Sequence, residues 1–377
     1  MVEYLKKKKI SFPLYIVYIA MKSVVWLSLI PLLVGRVKSF VVSTSSASHH
    51  SPTSLSISRS LPISISSIDQ RSARIKTYKY DGWNLTYSYK AASPGFENDS
   101  PILLIHPVGI GLASWFWERF MDEWTGPALY APNLIGCGIS QGSDPWNPEE
   151  RALSFPLGWA QGCEALMNEV VASSSAFPGL SFLGKGQKWN VMSQGGLAPV
   201  VVLMAARNPD TVERLILASP PTWKDMTTGV PEKELSRNYN FLSNPVWGRW
   251  AFRLLESRGA IEFFSNQFLF SQTCDATWLD KAEEELGLAS RPPVISFNSG
   301  FCLHRSFEEE LRTLPQQTII LAGKDDKRAR EEYTRCMKKC HLEVLPGLNV
   351  LPWESPSETM QAVKNFLSSR ISRYETS

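Results

Sequence analysis

The chain reads as an α/β protein. The expected form is an open, mostly parallel, doubly wound sheet with an antiparallel hairpin at its start and an inserted helical lid. Three observations predict this. Ile75–Tyr80 and Trp83–Tyr89 alternate with period two around Asp81-Gly82, a two-residue hairpin turn. Short apolar runs then recur at Ile102–His106, Ala128–Ala131, Trp189–Met192, Arg214–Ala218, Thr318–Ala322 and Leu342–Leu345, as in strands buried on both faces. Helical stretches separate them, at Ala113–Trp124, Gly158–Val171, Gly195–Arg207 and Pro356–Leu367, and strand–helix alternation argues a parallel sheet.

Taken in order, residues 1–73 read as a targeting segment. No Asp or Glu occurs from Tyr4 to Ile68, and residues 39–67 hold thirteen serines, too polar to bury a core. A serine-rich, acid-poor, basic leader suits organelle import, and a chloroplast transit peptide is the first reading. The apolar stretch 10–35, interrupted by Lys22 and preceded by Lys6–Lys9, also fits a secretory signal or membrane anchor, so membrane association through it stays open. Residues 74–222 and 315–370 form the expected core. Between them, residues 223–314 break the alternation with an aromatic-rich run (Tyr239, Phe241, Trp247, Trp250, Phe252, Phe263, Phe264) that reads as amphipathic helices covering one sheet edge. Residues 371–377 are a tail.

Composition narrows the partners. Of 39 basic and 36 acidic residues, eight basic and one acidic lie within 1–68, so the remainder carries a net charge of about −4. A mildly acidic domain offers no basic stripe, and no nucleic-acid partner is expected. Six scattered cysteines suit a reducing compartment. Cys336, Cys340 and His341 lack the second ligand pair of a tetrahedral site, so no metal is expected. Gly184-Lys185-Gly186 precedes a strand instead of opening a helix, and no phosphate-bearing cofactor is expected.

Four segments in fixed order carry a family resemblance. His106-Pro107-Val108-Gly109 follows the third strand. Pro132-Asn133-Leu134-Ile135-Gly136-Cys137-Gly138-Ile139-Ser140 follows the fourth and matches a "PDxxGxGxS" pattern except at Asn133. Ser193-Gln194-Gly195-Gly196 follows the fifth, and Gly323-Lys324-Asp325-Asp326 follows a late strand. Together they resemble the α/β-hydrolase superfamily over about residues 74–370. "HPVGxG" at His106 and "NVLPxE" at Asn349 further resemble a plastid and cyanobacterial-type subgroup.

The resemblance implies catalytic roles. Ser193 would be the nucleophile, on a strained strand-to-helix turn that lifts its hydroxyl above the sheet. Gln194 and Val108 would supply the oxyanion N–H groups, since Pro107 has none. Asp326 would be the orienting acid, with Asp325 as the alternative. The histidine position falls on Asn349, whose amide cannot take up and return a proton near neutral pH. His341 starts the last strand, about 20 Å from the carboxyl edge, and His106 reads as part of its loop. His304 remains as a surrogate base.

Two functions follow. One is a serine hydrolase acting on an ester or thioester of an apolar or lipid-derived substrate. The other is a non-catalytic member of the fold that binds an apolar, lipid-like ligand or a protein partner, with Asn349 bonded to Asp326. A lyase or isomerase also needs the missing histidine and ranks below both.

Overall fold

In a computed structural model the described residues are 75–138, 155–174, 186–223, 232–286, 291–298, 306–324, 326 and 330–369. The leader with its apolar stretch 10–35, the Gly184-Lys185 pair, Asp325, His304, Ile139, Ser140 and the tail lie outside them.

The architecture is the mixed, mostly parallel sheet of the α/β-hydrolase fold. Eight strands run in the order β1-β2-β4-β3-β5-β6-β7-β8. They are β1 (Ile75–Tyr80), β2 (Trp83–Lys90), β3 (Ile102–Ile105), β4 (Leu129–Pro132), β5 (Trp189–Gln194), β6 (Val212–Ala218), β7 (Gln317–Gly323) and β8 (Cys340–Leu345). The hairpin β1–β2 pairs antiparallel to β4, and every later pair is parallel. Asp81 (φ 45°) and Gly82 (φ 80°) close the hairpin in the left-handed region, the conformation a two-residue turn of this hand demands.

Side chains of β5 alternate between the two faces, so Val191 and Met192 fall into different cores. On one face lie α2 (Phe155–Ser174) and α3 (Ala198–Arg207); on the other lie α1 (Glu118–Glu123) and the C-terminal helix Pro356–Ser368. Two predicted helices begin later than their apolar pattern does. Ser114–Trp117 is a tight three-residue-per-turn coil ahead of α1, and Gly195–Leu197 is another ahead of α3. Pro199, which lacks an N–H, sits in the first turn of α3, where none is needed.

Between β6 and β7 the described helices are α4 (Glu232–Ser243), α5 (Trp247–Leu255), α6 (Arg258–Phe264), α7 (Ala276–Leu286), α8 (Pro292–Asn298) and α9 (Glu308–Thr313), with a wide π-type turn at Ser265–Leu269. Several press on loops at the carboxyl ends of the strands. A Cβ placed on Gly111 would stand 2.4 Å from the Ala282 carbonyl of α7, and one on Gly196 would stand 2.4 Å from the ring of Phe297 in α8. Trp278 of α7, Trp115 after β3 and Trp353 after β8 form a triangle with ring centroids 5.2–5.5 Å apart and edge-on contacts. Such edge-to-face pairs each add about 0.5–1.5 kcal/mol beyond burial. No described helix is long and apolar enough to cross a membrane.

Candidate functional site

The site is built where β3, β5, β6, β7 and β8 end. Strand β5 runs two residues past the expected stop. Ser193 pairs with Ile105 and Leu217, and Gln194 pairs with Ala218. Gln194 is extended (φ −108°, ψ 131°), and the turn falls on Gly195, at φ +60°. Among described non-glycine residues only Asp81 and Ser219 have positive φ, so Ser193 does not occupy the strained conformation of a nucleophile elbow. The cause is local. A side chain in the left-handed region costs about 1–2 kcal/mol, whereas glycine enters it freely. With β-branched Val191 favouring the strand and two glycines ahead, the turn slides to the first residue that lacks a Cβ.

Ser193 is therefore a strand residue, 1 % exposed, and its hydroxyl has no hydrogen-bond partner among the described residues. Gln194, also buried, donates from Nε2 to the backbone carbonyl of Asn349. Asn349 itself donates its backbone N–H to the Leu269 carbonyl at 3.0 Å and its side-chain amide to the Phe268 carbonyl at 3.3 Å. Its described hydrogen bonds thus run to the π-type turn and to Gln194, not to Asp326.

The neighbouring loop is held as firmly. Glu354 accepts from Leu348 N–H at 2.8 Å and from Ser271 N–H at 2.8 Å, and it also takes the Ser271 hydroxyl. Gly347 (φ +107°) turns the chain over Glu354. Gly323 lets β7 pass beneath this loop, for a Cβ there would stand 2.1 Å from the Leu348 carbonyl oxygen. Asp326 follows in a turn closed by its own N–H on Gly323 at 3.0 Å. Ser219, at φ 45° after β6, donates its N–H to Leu321 at 2.7 Å and its hydroxyl to Leu348 at 3.5 Å. Nothing in the sequence marks Ser219, since a residue before proline is expected to be extended.

The described histidines are His106 and His341. His106 is fully buried. Its Nε2 accepts the Leu134 N–H at 3.1 Å, so the ring proton sits on Nδ1 and is donated to the Pro107 carbonyl at 2.8 Å. Burial lowers its pKa to about 4, which keeps the ring neutral, and both nitrogens are engaged, Nε2 tying the loop after β4 to the end of β3. His341 pairs in register with Ile319 near the start of β7 and lies beside Glu343 at 3.6 Å, at the end away from the site. Val108 follows His106 with its side chain in the core. Asn133, where the resembled pattern has an acid, accepts from Ser114 N–H and donates to the Thr86 hydroxyl, both at 2.8 Å. A carboxylate here could only accept, so the Thr86 hydroxyl would have to donate in its place.

No group of three potential metal ligands occurs among the described residues. Cys340 is held as a thiol, its pKa pushed up to about 12 by burial and then by Cys336. Aromatic surface dominates the cover over the carboxyl edge: Phe270, Trp278 and Phe297 press on it, with Trp115 and Trp353 from the core side.

No family model matches the chain, and no curated protein matches it. Solved structures do. An esterase from Thermogutta terrifontis aligns with TM-score 0.52 at 17 % identity, over 78 % of this chain and 96 % of that one. A serine hydrolase from Cycloclasticus zankles aligns with TM-score 0.55 at 15 % identity, over 78 % and 96 %. A haloalkane dehalogenase loop variant from Bradyrhizobium elkanii gives 0.54 at 16 % identity, also over 78 % and 96 %. These proteins are named for different reactions, so the likeness speaks for the scaffold and not for the chemistry. The chain has the α/β-hydrolase fold.

Proposed function

We propose that this chain is a non-hydrolytic form of the α/β-hydrolase scaffold that holds an apolar, lipid-derived ligand beneath its aromatic helical cover. The observation that carries the reading is the state of the nucleophile. Ser193 lies in a strand two residues short of the turn, with no base bonded to its hydroxyl among the described residues, while the residue at the turn is a glycine. A hydroxyl at its ordinary acidity is a weak nucleophile unless a base stands within hydrogen-bond reach. The position expected to supply that base is Asn349, whose hydrogen bonds tie the cover to the sheet edge. The aromatic cover supports an apolar ligand, and the basic, serine-rich leader supports delivery to a plastid.

A second reading, hydrolysis of an ester or thioester at Ser193, rests on one observation. The Ser193 hydroxyl is free of any described partner. His304 would then be the base.

Displacement of a fluorescent fatty acid, run beside turnover of p-nitrophenyl acyl esters, tests the two together. The expected result is saturable binding without turnover. Turnover that disappears in Ser193→Ala would overturn the proposal in favour of the second reading.

A further inference from the structure

Helix α5 carries a face that the fold does not use. Its inner side is fixed. Gly248, Ala251 and Phe252 are buried, Gly248 N–H donates to Asn244 at 3.0 Å, and a Cβ on Gly248 would meet the Leu242 carbonyl at 2.0 Å. Arg291 lies 5.3 Å over the Phe252 ring and pairs with Glu256 at 2.6 Å. Helix rotation to hide the outer side is therefore blocked. That outer side presents Trp247 (53 % exposed), Trp250 (47 %) and Leu254 (42 %) at positions i, i+3 and i+7, with Val246 (67 %) just ahead. Residues at this spacing lie on one helix face.

Charge flanks this face. Arg253, three residues after Trp250, is exposed at its border and Arg249 on the adjoining stripe, Arg237 is exposed on α4, and no acidic residue occurs between Glu234 and Glu256. The first acid beyond it, Glu256, is already paired. Several large exposed apolar side chains on one short helix are more than scattered surface residues and mark an interaction site. Tryptophan with arginine, and no acid, suits the boundary between lipid headgroups and acyl chains. There the indole sits at the interface while the guanidinium reaches an anionic headgroup. Arginine and tryptophan are enriched in protein interfaces too, and a measurement of self-association without lipid separates that case from membrane docking.

We propose that α5 docks the protein onto an anionic membrane surface, with Trp247, Trp250 and Leu254 inserted among the headgroups and Arg249 and Arg253 on the lipid phosphates. This holds whichever way Ser193 behaves. It also places the cover helices against the phase from which a lipid-derived ligand would come.

The test is co-sedimentation of the full chain with phosphatidylcholine vesicles, with and without phosphatidylglycerol, for the wild type, Trp247→Ser/Trp250→Ser and Arg249→Gln/Arg253→Gln. The wild type should bind the anionic vesicles. The tryptophan pair should weaken binding by about tenfold or more, and the arginine pair should remove the preference for phosphatidylglycerol. Both variants should melt with the wild type, because these side chains are exposed. Wild-type chain that stays in the supernatant overturns the proposal. So does binding equal in all three proteins, which would assign adsorption to the leader. Loss of a dimer in the tryptophan variant, measured by analytical ultracentrifugation without lipid, would overturn it in favour of a self-interface.

Discussion

The side-chain amide of Gln194 donates to the backbone carbonyl of Asn349, so the residue after the expected nucleophile is bonded to the residue in the expected base position. That bond, with the two from Asn349 to Phe268 and Leu269, braces the sheet edge against the helical cover.

A brace of this kind responds to charge and geometry, not to proton affinity. Asn349→Asp replaces the donor facing the Phe268 carbonyl with an acceptor and should cost about 0.5–1.5 kcal/mol in urea melts, the net worth of a solvent-accessible hydrogen bond. Asn349→His supplies an imidazole at the family position, yet p-nitrophenyl ester turnover should stay at background because Ser193 remains in its strand.

The turn at Gly195 gives a sharper contrast. Space around it is open, with no heavy atom within 4 Å of an added Cβ, so Gly195→Ala should cost only the left-handed strain, about 1–2 kcal/mol. Gly323→Ala drives a methyl into the Leu348 and Gly347 carbonyls and should cost more, about 3 kcal/mol. Chemical denaturation of both variants gives the order directly.

Much of this scaffold was legible in the sequence, and the reasons are physical. The Asp81-Gly82 turn and the spaced apolar runs declare the hairpin and the parallel strands because period and turn chemistry are local properties. The position of Ser193 was not legible. Whether β5 stops at Met192 or Gln194 depends on pairing with Ile105, Leu217 and Ala218, residues distant in sequence. The hydrogen bonds of Asn349 to Phe268 and Leu269 were hidden for the same reason: backbone carbonyls of a distant turn leave no mark in side-chain identity.

His106 makes stability depend on pH. Its folded pKa of about 4 lies below the ordinary 6.5, so between those values the unfolded chain binds more protons. Stability from this residue is complete above pH 6.5 and falls as the pH drops toward 4, by an amount on the order of 3 kcal/mol. His106→Gln should be less stable at neutral pH and should lose less on acidification, seen as a shallower fall in melting temperature between pH 7 and 5.

The tryptophan triangle sets how tightly the cover is held. Trp278 contacts Trp115, Trp353, Phe116 and Phe270, and its indole N–H donates to the Ser265 hydroxyl at 2.9 Å. Trp278→Ala should cost about 3–5 kcal/mol. Limited proteolysis should then cut first within 258–286, before the sheet is attacked.

Fluorophosphonate labelling of the folded chain tests the central claim most directly, because the reagent reports an activated serine without any assumption about substrate. A serine held in β5 with no base bonded to it among the described residues should remain unlabelled, as should the Ser193→Ala protein beside it. Stoichiometric labelling of the wild type that vanishes in Ser193→Ala would contradict the account and establish Ser193 as a working nucleophile.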